Sequence, residues 1–329
     1  MKGQNHRIMS KRQALSILLL VLVAVLLFVF ISKARSSNNG FDLSGSLIPK
    51  QQILHGGPHR DGIPALTKPG FIKAAQAHFL RPESRVMGVS LYGEAKAYPI
   101  AILNYHEIVN DQLGGQAITV TFCPLCGTGM VYDARVGGRV LEFGVSGLLY
   151  NSDLLLYDRL TESLWSQVMA KAVTGPMKGR TLKRISASHT SWQDWLTRFP
   201  DTFVLSLNTG YWRNYQQTPY LGYSESDELY FPVAHYDSRY PKKERVVAIE
   251  VNEQHKSYPF SELARYQLSR QSNRIRDKVA GKELIVKFDL NANSARVFDN
   301  QGKEVPSFQA FWFAWVAFYP QSQVYVFEP

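Results

Sequence analysis

The chain has 329 residues, which is long enough for one or two domains with a buried core. Apolar residues make up 45% and charged residues 19% of the chain, which excludes a disordered, fibrous or coiled-coil protein, and two cysteines exclude a disulfide-stapled scaffold. Of the 37 Lys and Arg residues behind the formal charge of +10, six precede Ser36, where no acidic residue occurs. The remaining 31 basic residues are nearly balanced by 27 acidic residues. Because the sequence also has no basic helix with interleaved aromatic residues, a nucleic-acid partner is not expected.

The amino-terminal region contains one long apolar run. Residues 14–31 read ALSILLLVLVAVLLFVFI, which spans about 27 Å as a helix and predicts a transmembrane anchor. The heavier basic cluster precedes this run, so residues 1–13 are expected in the cytoplasm and the main domain outside it, in the periplasm where the cell has an outer membrane. The membrane is therefore an expected partner, and residues 32–55 read as a tether. A cleaved signal peptide stays an alternative, because Ser32-Lys33-Ala34 offers small residues at plausible cleavage positions.

The rest of the chain contains an internal sequence match. VMGVSLYGEAKAYPIAIL (86–103) aligns without gaps with VVAIEVNEQHKSYPFSEL (246–263). AITVTFCPLCGTGMVYD (117–133) then aligns with ELIVKFDLNANSARVFD (283–299), and a Trp-rich segment before Phe199-Pro200 aligns with one before Tyr319-Pro320. We therefore expect a β-rich α+β fold with two related halves from an internal duplication, preceded by one transmembrane helix. The first half is placed at 56–208, a connector at 209–245 and the second half at 246–329.

Residues present in only one half are better candidates for chemistry than residues that both halves need for folding. This comparison selects Cys123 and Cys126, which face Asp289 and Ala292 in the second half. It also selects an insertion at about 143–184, which has no counterpart. The shared Tyr-Pro and Trp residues are interpreted as structural.

The strongest motif is a Cys-Pro-Leu-Cys-Gly knuckle at Cys123–Gly127, whose spacing lets two thiolates face one centre. Two thiolates are half of a tetrahedral site, so further ligands must come from other side chains or from a second subunit. His106 is the first choice, because it precedes the strand that delivers Cys123. Thiolate and imidazole ligands favour copper or zinc. Further candidates are Glu107, Asn151, Asp153, Asp158, Arg159 and Glu162.

Two other functions stay open for the knuckle. An exported Cys-x-x-Cys can act as a thiol-disulfide oxidoreductase, although here the second cysteine is followed by a turn and strand and not by a helix. A closed disulfide in a structural or partner-binding module is the third interpretation. No GxSxG, phosphate-binding glycine loop or HExxH occurs, and no complete acid, base and nucleophile set can be assembled. The sequence therefore favours metal handling over catalysis, and a protein partner or homo-oligomer stays open.

The motifs resemble those of a bacterial and archaeal family known as domain of unknown function 3179. The resemblance is carried by GGPHRDGIPAL (56–66), AYPIAILNYHEIVND (97–111), TFCPLCGTGMVYD (121–133) and FGVSGLLYNSDLLLYDRLTESLWSQ (143–167). It extends over nearly everything after the tether and implies that Cys123, Cys126, His106 and the insertion are characteristic of the family. It implies no activity, because the family's function is unassigned.

Overall fold

The computed structural model describes residues 17–23 and 38–329, and strands predominate in it. The strands, in chain order, are β1 (Ile53–His55), β2 (Leu66–Thr67), β3 (Phe71–Lys73), β4 (Arg85–Leu91), β5 (Glu94–Pro99), β6 (Ile108–Leu113), β7 (Gln116–Cys123), β8 (Thr128–Asp133), β9 (Arg135–Val136), β10 (Arg139–Val140), β11 (Phe143–Tyr150), β12 (Asp153–Asp158), β13 (Leu164–Ser166), β14 (Lys171–Ala172), β15 (Arg184–Ile185), β16 (Ser188–Ser191), β17 (Phe203–Leu205), β18 (Arg245–Val251), β19 (Gln254–Pro259), β20 (Arg274–Val279), β21 (Lys282–Asp289), β22 (Ser294–Asp299), β23 (Glu304–Val305), β24 (Ser307–Phe311) and β25 (Gln323–Val324).

Helices are few and short. Within 38–329 they are α1 (Ile100–His106), α2 (Trp192–Arg198), α3 (Phe260–Arg270) and α4 (Trp312–Phe318), with single 3-10 turns at Lys50–Gln52, Ala74–Gln76 and Tyr223–Glu225. Both α1 and α3 follow a Tyr-Pro pair, as expected from the fixed φ of proline next to a helix start. Each helix lies beside the strands it connects and does not form a layer of its own.

The strands form five sheets and one two-stranded hairpin, β10-β9. Sheet 1 has the order β1-β11-β12-β13-β14, sheet 2 β15-β8-β7-β6-β2, sheet 3 β16-β4-β5-β17-β3, sheet 4 β24-β18-β19-β25 and sheet 5 β20-β21-β22-β23. The sheets are arranged as the blades of a five-bladed β-propeller. Side-chain contacts join neighbouring blades: the Lys96 ammonium lies 2.8 Å from Asp111 between sheets 3 and 2, and the Lys256 ammonium lies 2.6 Å from Asp277 between sheets 4 and 5.

The predicted fold class was wrong. The segments that match in sequence do not form two α+β halves, because their strands are divided among sheets 2, 3, 4 and 5, while the insertion supplies most of sheet 1. The helical patterns correspond to about two or three turns between strands, and β-sheets supply most of the core. The matching segments do form strands, but sequence similarity carries no information on which sheet each strand joins.

The predicted membrane segment at 14–31 lies outside the described residues except for 17–23, which are helical. Among residues 17–23 and 38–329, no helix combines the length and the apolar character needed to cross a bilayer. The segments 1–13 and 32–37 lie outside the described residues, so the location and the membrane partner stay predictions.

The largest apolar cluster lies where sheets 1, 2 and 4 meet. It contains both cysteines, Trp165 of sheet 1 and Trp312 and Trp315 of α4. The knuckle is therefore built into this cluster, and the side chains of both cysteines are withdrawn from water.

Candidate metal centre

The knuckle connects two neighbouring strands of sheet 2. Cys123 ends β7, Thr128 begins β8, and the two residues are paired in register. The turn between them needs a glycine at Gly127, where φ is +62° and an added Cβ would lie 3.1 Å from the Phe311 ring. The Phe311 N–H donates to the Cys126 carbonyl over 2.8 Å, so sheet 4 holds the turn from outside.

The third member of the site comes from the insertion. Tyr150 of β11 pairs with Asp153 of β12, and the two residues between them, Asn151 and Ser152, have φ of +53° and +63°. Positive φ at both central residues is typical of a type I′ hairpin turn. The turn places the Asp153 carboxyl group against the knuckle, and the Ser152 carbonyl lies 3.8 Å from the Cys123 sulfur.

Three potential ligand atoms converge at this place. The two sulfurs of Cys123 and Cys126 and a carboxyl oxygen of Asp153 all lie within 4.8 Å of one another. All three residues are buried, and both cysteines are free thiols. Two thiolates and a carboxylate are protein ligands that zinc accepts.

A chain of hydrogen bonds fixes the carboxyl group of Asp153. The Gln167 amide donates through Nε2 to Thr121, whose hydroxyl donates to the Met130 carbonyl, so the oxygen Oε1 of Gln167 faces Thr128. The Thr128 hydroxyl lies within donating distance of two acceptors, that oxygen at 2.6 Å and Asp153 Oδ1 at 3.1 Å.

The pKa values favour protonated thiols in the absence of a metal and a carboxyl group that titrates near neutral pH. Burial raises the pKa of Asp153 to about 7, although the Val168 N–H and the Thr128 hydroxyl oppose the shift. Burial also raises the pKa of Cys123 and, further, that of Cys126, whose second cause is the neighbouring thiol. Burial outweighs the attraction between the Lys243 ammonium and Cys126, so neither thiol has the lowered pKa of a nucleophilic cysteine.

Glu107 lies beside the site. It follows α1 with φ of +57°, and its carbonyl accepts from the Phe122 N–H over 2.8 Å. Burial, and secondly the charge of Asp153, raise its pKa to about 8. Its carboxyl group is not part of the group of three ligand atoms.

The connector covers the site. The Ala234 N–H donates to the Asn151 side chain over 2.9 Å, and the Ser152 hydroxyl donates to the Phe231 carbonyl over 2.8 Å. The Tyr223 ring packs in the same apolar cluster as the cysteines, and its buried hydroxyl has no hydrogen-bond partner among the described residues. The Lys243 ammonium lies 3.4 Å from the Tyr223 ring centroid and donates to three connector carbonyls, those of Tyr223, Ser226 and Glu228.

Comparison with known proteins identifies the family but assigns no chemistry. A family model described as protein of unknown function (DUF3179) matches residues 60–322. The chain belongs to this family. Neither a curated protein nor a solved structure matches it. The match covers the knuckle, the insertion and the connector, so the complete site lies within the DUF3179 domain.

His106, the first predicted ligand, has other partners in this DUF3179 domain. Its Nδ1 lies 2.7 Å from the Pro64 carbonyl and its Nε2 lies 2.7 Å from the Tyr215 hydroxyl. Burial lowers its pKa, so the ring is neutral at pH 7. The group formed by Cys123, Cys126 and Asp153 does not include it.

The other predicted site residues take different positions. Asn151 contacts the connector and donates to the Ala317 carbonyl over 3.1 Å. Asp158 lies five residues beyond Asp153 on β12, about 17 Å away along an extended strand, and accepts from the Trp165 indole over 2.9 Å. Arg159 forms an ion pair with Asp61 at 2.9 Å, and Glu162 forms one with Arg60 at 2.8 Å.

Several residues of the site are not detectable from sequence spacing. Thr128 and Gln167 position Asp153, while Tyr223 and Lys243 belong to the connector. Only Thr128 had a local signal, because it follows the knuckle directly. The connector residues are about 100 positions away from the cysteines in sequence, and only the fold brings them together.

Proposed function

We propose that this DUF3179 domain binds a zinc ion through Cys123, Cys126 and Asp153. The observation that carries the proposal is the convergence of two free thiols and one carboxyl group within 4.8 Å, all buried and supplied by two different sheets. Burying several titratable groups together destabilises the fold, and such clusters with raised pKa values are found preferentially at functional sites.

The donor set favours zinc over copper. Copper(I) prefers soft ligands alone, whereas zinc accepts sulfur together with a carboxylate oxygen. Three protein ligands leave a fourth position, as in zinc sites that bind a water or substrate molecule.

The burial of both cysteines disfavours thiol-disulfide exchange. Cys123 is 2% exposed and Cys126 is not exposed, and both thiols have raised pKa values. Exchange needs an accessible thiolate, which these surroundings disfavour. A metal ion supplies the positive charge that would stabilise both thiolates in the same place.

Metal content of the full-length chain, purified under anaerobic conditions without chelators, tests the proposal. We expect close to one zinc per chain, lost in the Cys123→Ser, Cys126→Ser double variant. Glu162→Gln is the control, because it changes an exposed carboxylate of the same insertion that pairs with Arg60. Zinc at the same level in the double variant, or no zinc uptake by the native chain, would contradict the proposal.

A further inference from the structure

Two arginines, Arg85 and Arg245, lie close to each other on neighbouring sheets. Arg85 begins β4 and Arg245 begins β18, and the surface of each is mostly buried. Among residues 38–329, neither guanidinium forms an ion pair, and that of Arg245 forms no side-chain hydrogen bond either. Arg85 donates through Nη1 and Nη2 to the carbonyls of Ala292, His189 and Asn293, whereas the guanidinium of Arg245 lies 5.9 Å from the Phe311 ring centroid. Neither arrangement supplies a negative charge, and burying a guanidinium without one is energetically costly.

Strand register places a histidine and a glutamine beside these arginines. Arg85 is paired with Ser191, two residues after His189, so Arg85 and His189 lie on one face of sheet 3. Arg245 is paired with Phe311, two residues after Gln309, so these two side chains likewise share one face of sheet 4.

Direct contacts connect the two pairs. Arg85 Nη2 lies 3.4 Å from Gln309 Oε1, and the Gln309 amide donates to the His189 carbonyl over 2.9 Å. The cluster of Arg85, Arg245 and His189, which we call the cationic cluster, therefore bridges sheets 3 and 4.

Two buried nitrogen atoms in the cationic cluster have no partner among the described residues. Arg85 Nε and His189 Nδ1 are buried without a hydrogen bond among the described residues, and His189 is only 7% exposed. The pKa of His189 lies well below its usual value because of burial and then the charges of Arg85 and Arg245. Burial and the charge of Arg245 lower the pKa of Arg85 to about 9.

The acidic groups nearby do not neutralise this charge. Asp194 is the carboxylate that acts on Arg85, and it is already held by Arg198 at 2.7 Å. No acidic side chain acts on Arg245 or His189 among the groups that shift their pKa values.

We propose that the cationic cluster binds a small inorganic anion between the guanidinium groups of Arg85 and Arg245 and the ring of His189. The anion neutralises two buried charges at once, accepts a hydrogen bond from Arg85 Nε, and accepts one from His189 in the tautomer that carries its proton on Nδ1. A halide such as chloride or a compact oxyanion such as phosphate meets these requirements. The site is independent of the zinc proposal.

Anion-dependent thermal unfolding of the full-length chain tests this inference. In a low-salt buffer with gluconate as the background anion, sodium chloride should raise the Tm saturably, by about 5 °C at a concentration 100-fold above Kd. Excess line broadening of the chloride NMR signal should titrate with the protein over the same range. Sodium phosphate is the second probe, and the anion that acts at the lower concentration identifies the preferred ligand.

Variants separate anion binding from a packing role. Arg245→Met should abolish the saturable part of both signals and, without added anion, should unfold at the same Tm as the native chain or higher, because an unpaired buried charge is gone. Arg245→Lys keeps a cation and should retain a weaker response. Arg139→Met is the matched control, because Arg139 is exposed and should leave both responses unchanged.

The outcomes are distinct. Saturable stabilisation by chloride or phosphate that requires Arg245 supports the site. Equal salt responses in the native chain and Arg245→Met, or a lower Tm of Arg245→Met in the absence of anions, would overturn it.

Discussion

Thr128 and Asp153 lie side by side, with Thr128 Oγ1 3.1 Å from Asp153 Oδ1. Because Thr128 is paired in register with Cys123, this contact ties the carboxyl group from the insertion to the strand pair that carries the first thiol. The hydroxyl of Thr128 also meets Gln167, so the orientation of Asp153 is fixed by residues that are not themselves ligands. A site held in this way should be sensitive to changes around the ligands.

We expect Thr128→Val to weaken zinc binding by about 10- to 100-fold, since residues that orient a metal ligand contribute that much to affinity. Competition with a zinc chelator gives the affinity. Thr119→Val is the matched control, because the Thr119 hydroxyl is also buried on sheet 2 but has no hydrogen-bond partner among the described residues. Equal affinities of the two variants would show that the contact between Thr128 and Asp153 does not position the ligand.

Zinc affinity should rise steeply with pH. Because the pKa values of Cys123 and Cys126 are raised, both thiols are protonated near neutral pH, and zinc binding must release both protons. We expect Kd to fall by about 100-fold per pH unit between pH 7 and 8, and more steeply below the pKa of Asp153 at about 7. Calorimetry in buffers of different ionisation enthalpy counts the protons. Release of fewer than one proton per zinc would contradict thiolate ligation.

The metal-free protein should lose stability as pH rises because of Glu107. Its pKa of about 8 in the folded state lies above that of an unfolded chain, so the folded state binds a proton more tightly, and the free energy of unfolding falls as pH rises toward 8. The measurement starts at pH 7, because below that pH the lowered pKa values of the buried His106 and His189 add a slope of opposite sign. Between pH 7 and 8 the loss from Glu107 should reach about 1 kcal/mol, and Asp153, whose pKa is about 7, adds a smaller loss of the same sign.

Urea unfolding of chelator-treated protein at several pH values measures this slope. We expect Glu107→Gln to remove most of it, whereas Glu83→Gln, at an exposed position, should keep it. A native slope that persists in Glu107→Gln would assign the effect to other groups.

Lys243 should control access to the thiols. Its ammonium donates to the carbonyls of Tyr223, Ser226 and Glu228, and a Lys243→Met variant loses all three hydrogen bonds. We expect the two cysteines of the metal-free variant to react with a disulfide reagent at least about 10-fold faster, since local opening of the connector becomes easier. Lys242→Met is the control, because Lys242 donates to the Asp227 carbonyl alone. Unchanged reactivity would mean that the thiols are reached by another route.

Part of the site could be predicted from sequence, and the physical reasons are local. The knuckle spacing and Gly127 imposed a tight turn that brings both thiols together, and Asp153 was among the candidates because the insertion occurs only once. His106 was selected for its closeness in sequence to β7, but its ring contacts Pro64 and Tyr215, which no spacing rule connects to it. Asp153 meets the knuckle only because sheets 1 and 2 are packed together.

The fold was predicted less well than the strands. Alternating and apolar runs around Tyr98 and Tyr258 indicated strands, and each of these tyrosines donates over 2.8 Å to the aspartate of the next strand, Asp111 and Asp277. These contacts join one sheet to the next, so matching segments in sequence contribute to different blades. The number of sheets depends on such pairings between distant strands, which hydrophobic periodicity does not encode.

X-ray absorption at the zinc edge of the metal-loaded, full-length chain tests the central claim most directly. The account predicts two sulfur neighbours at about 2.3 Å together with oxygen neighbours at about 2.0 Å, and loss of one oxygen neighbour or of the bound zinc in Asp153→Asn. Four sulfur neighbours, or an imidazole in the first coordination sphere, would contradict the ligand set of Cys123, Cys126 and Asp153.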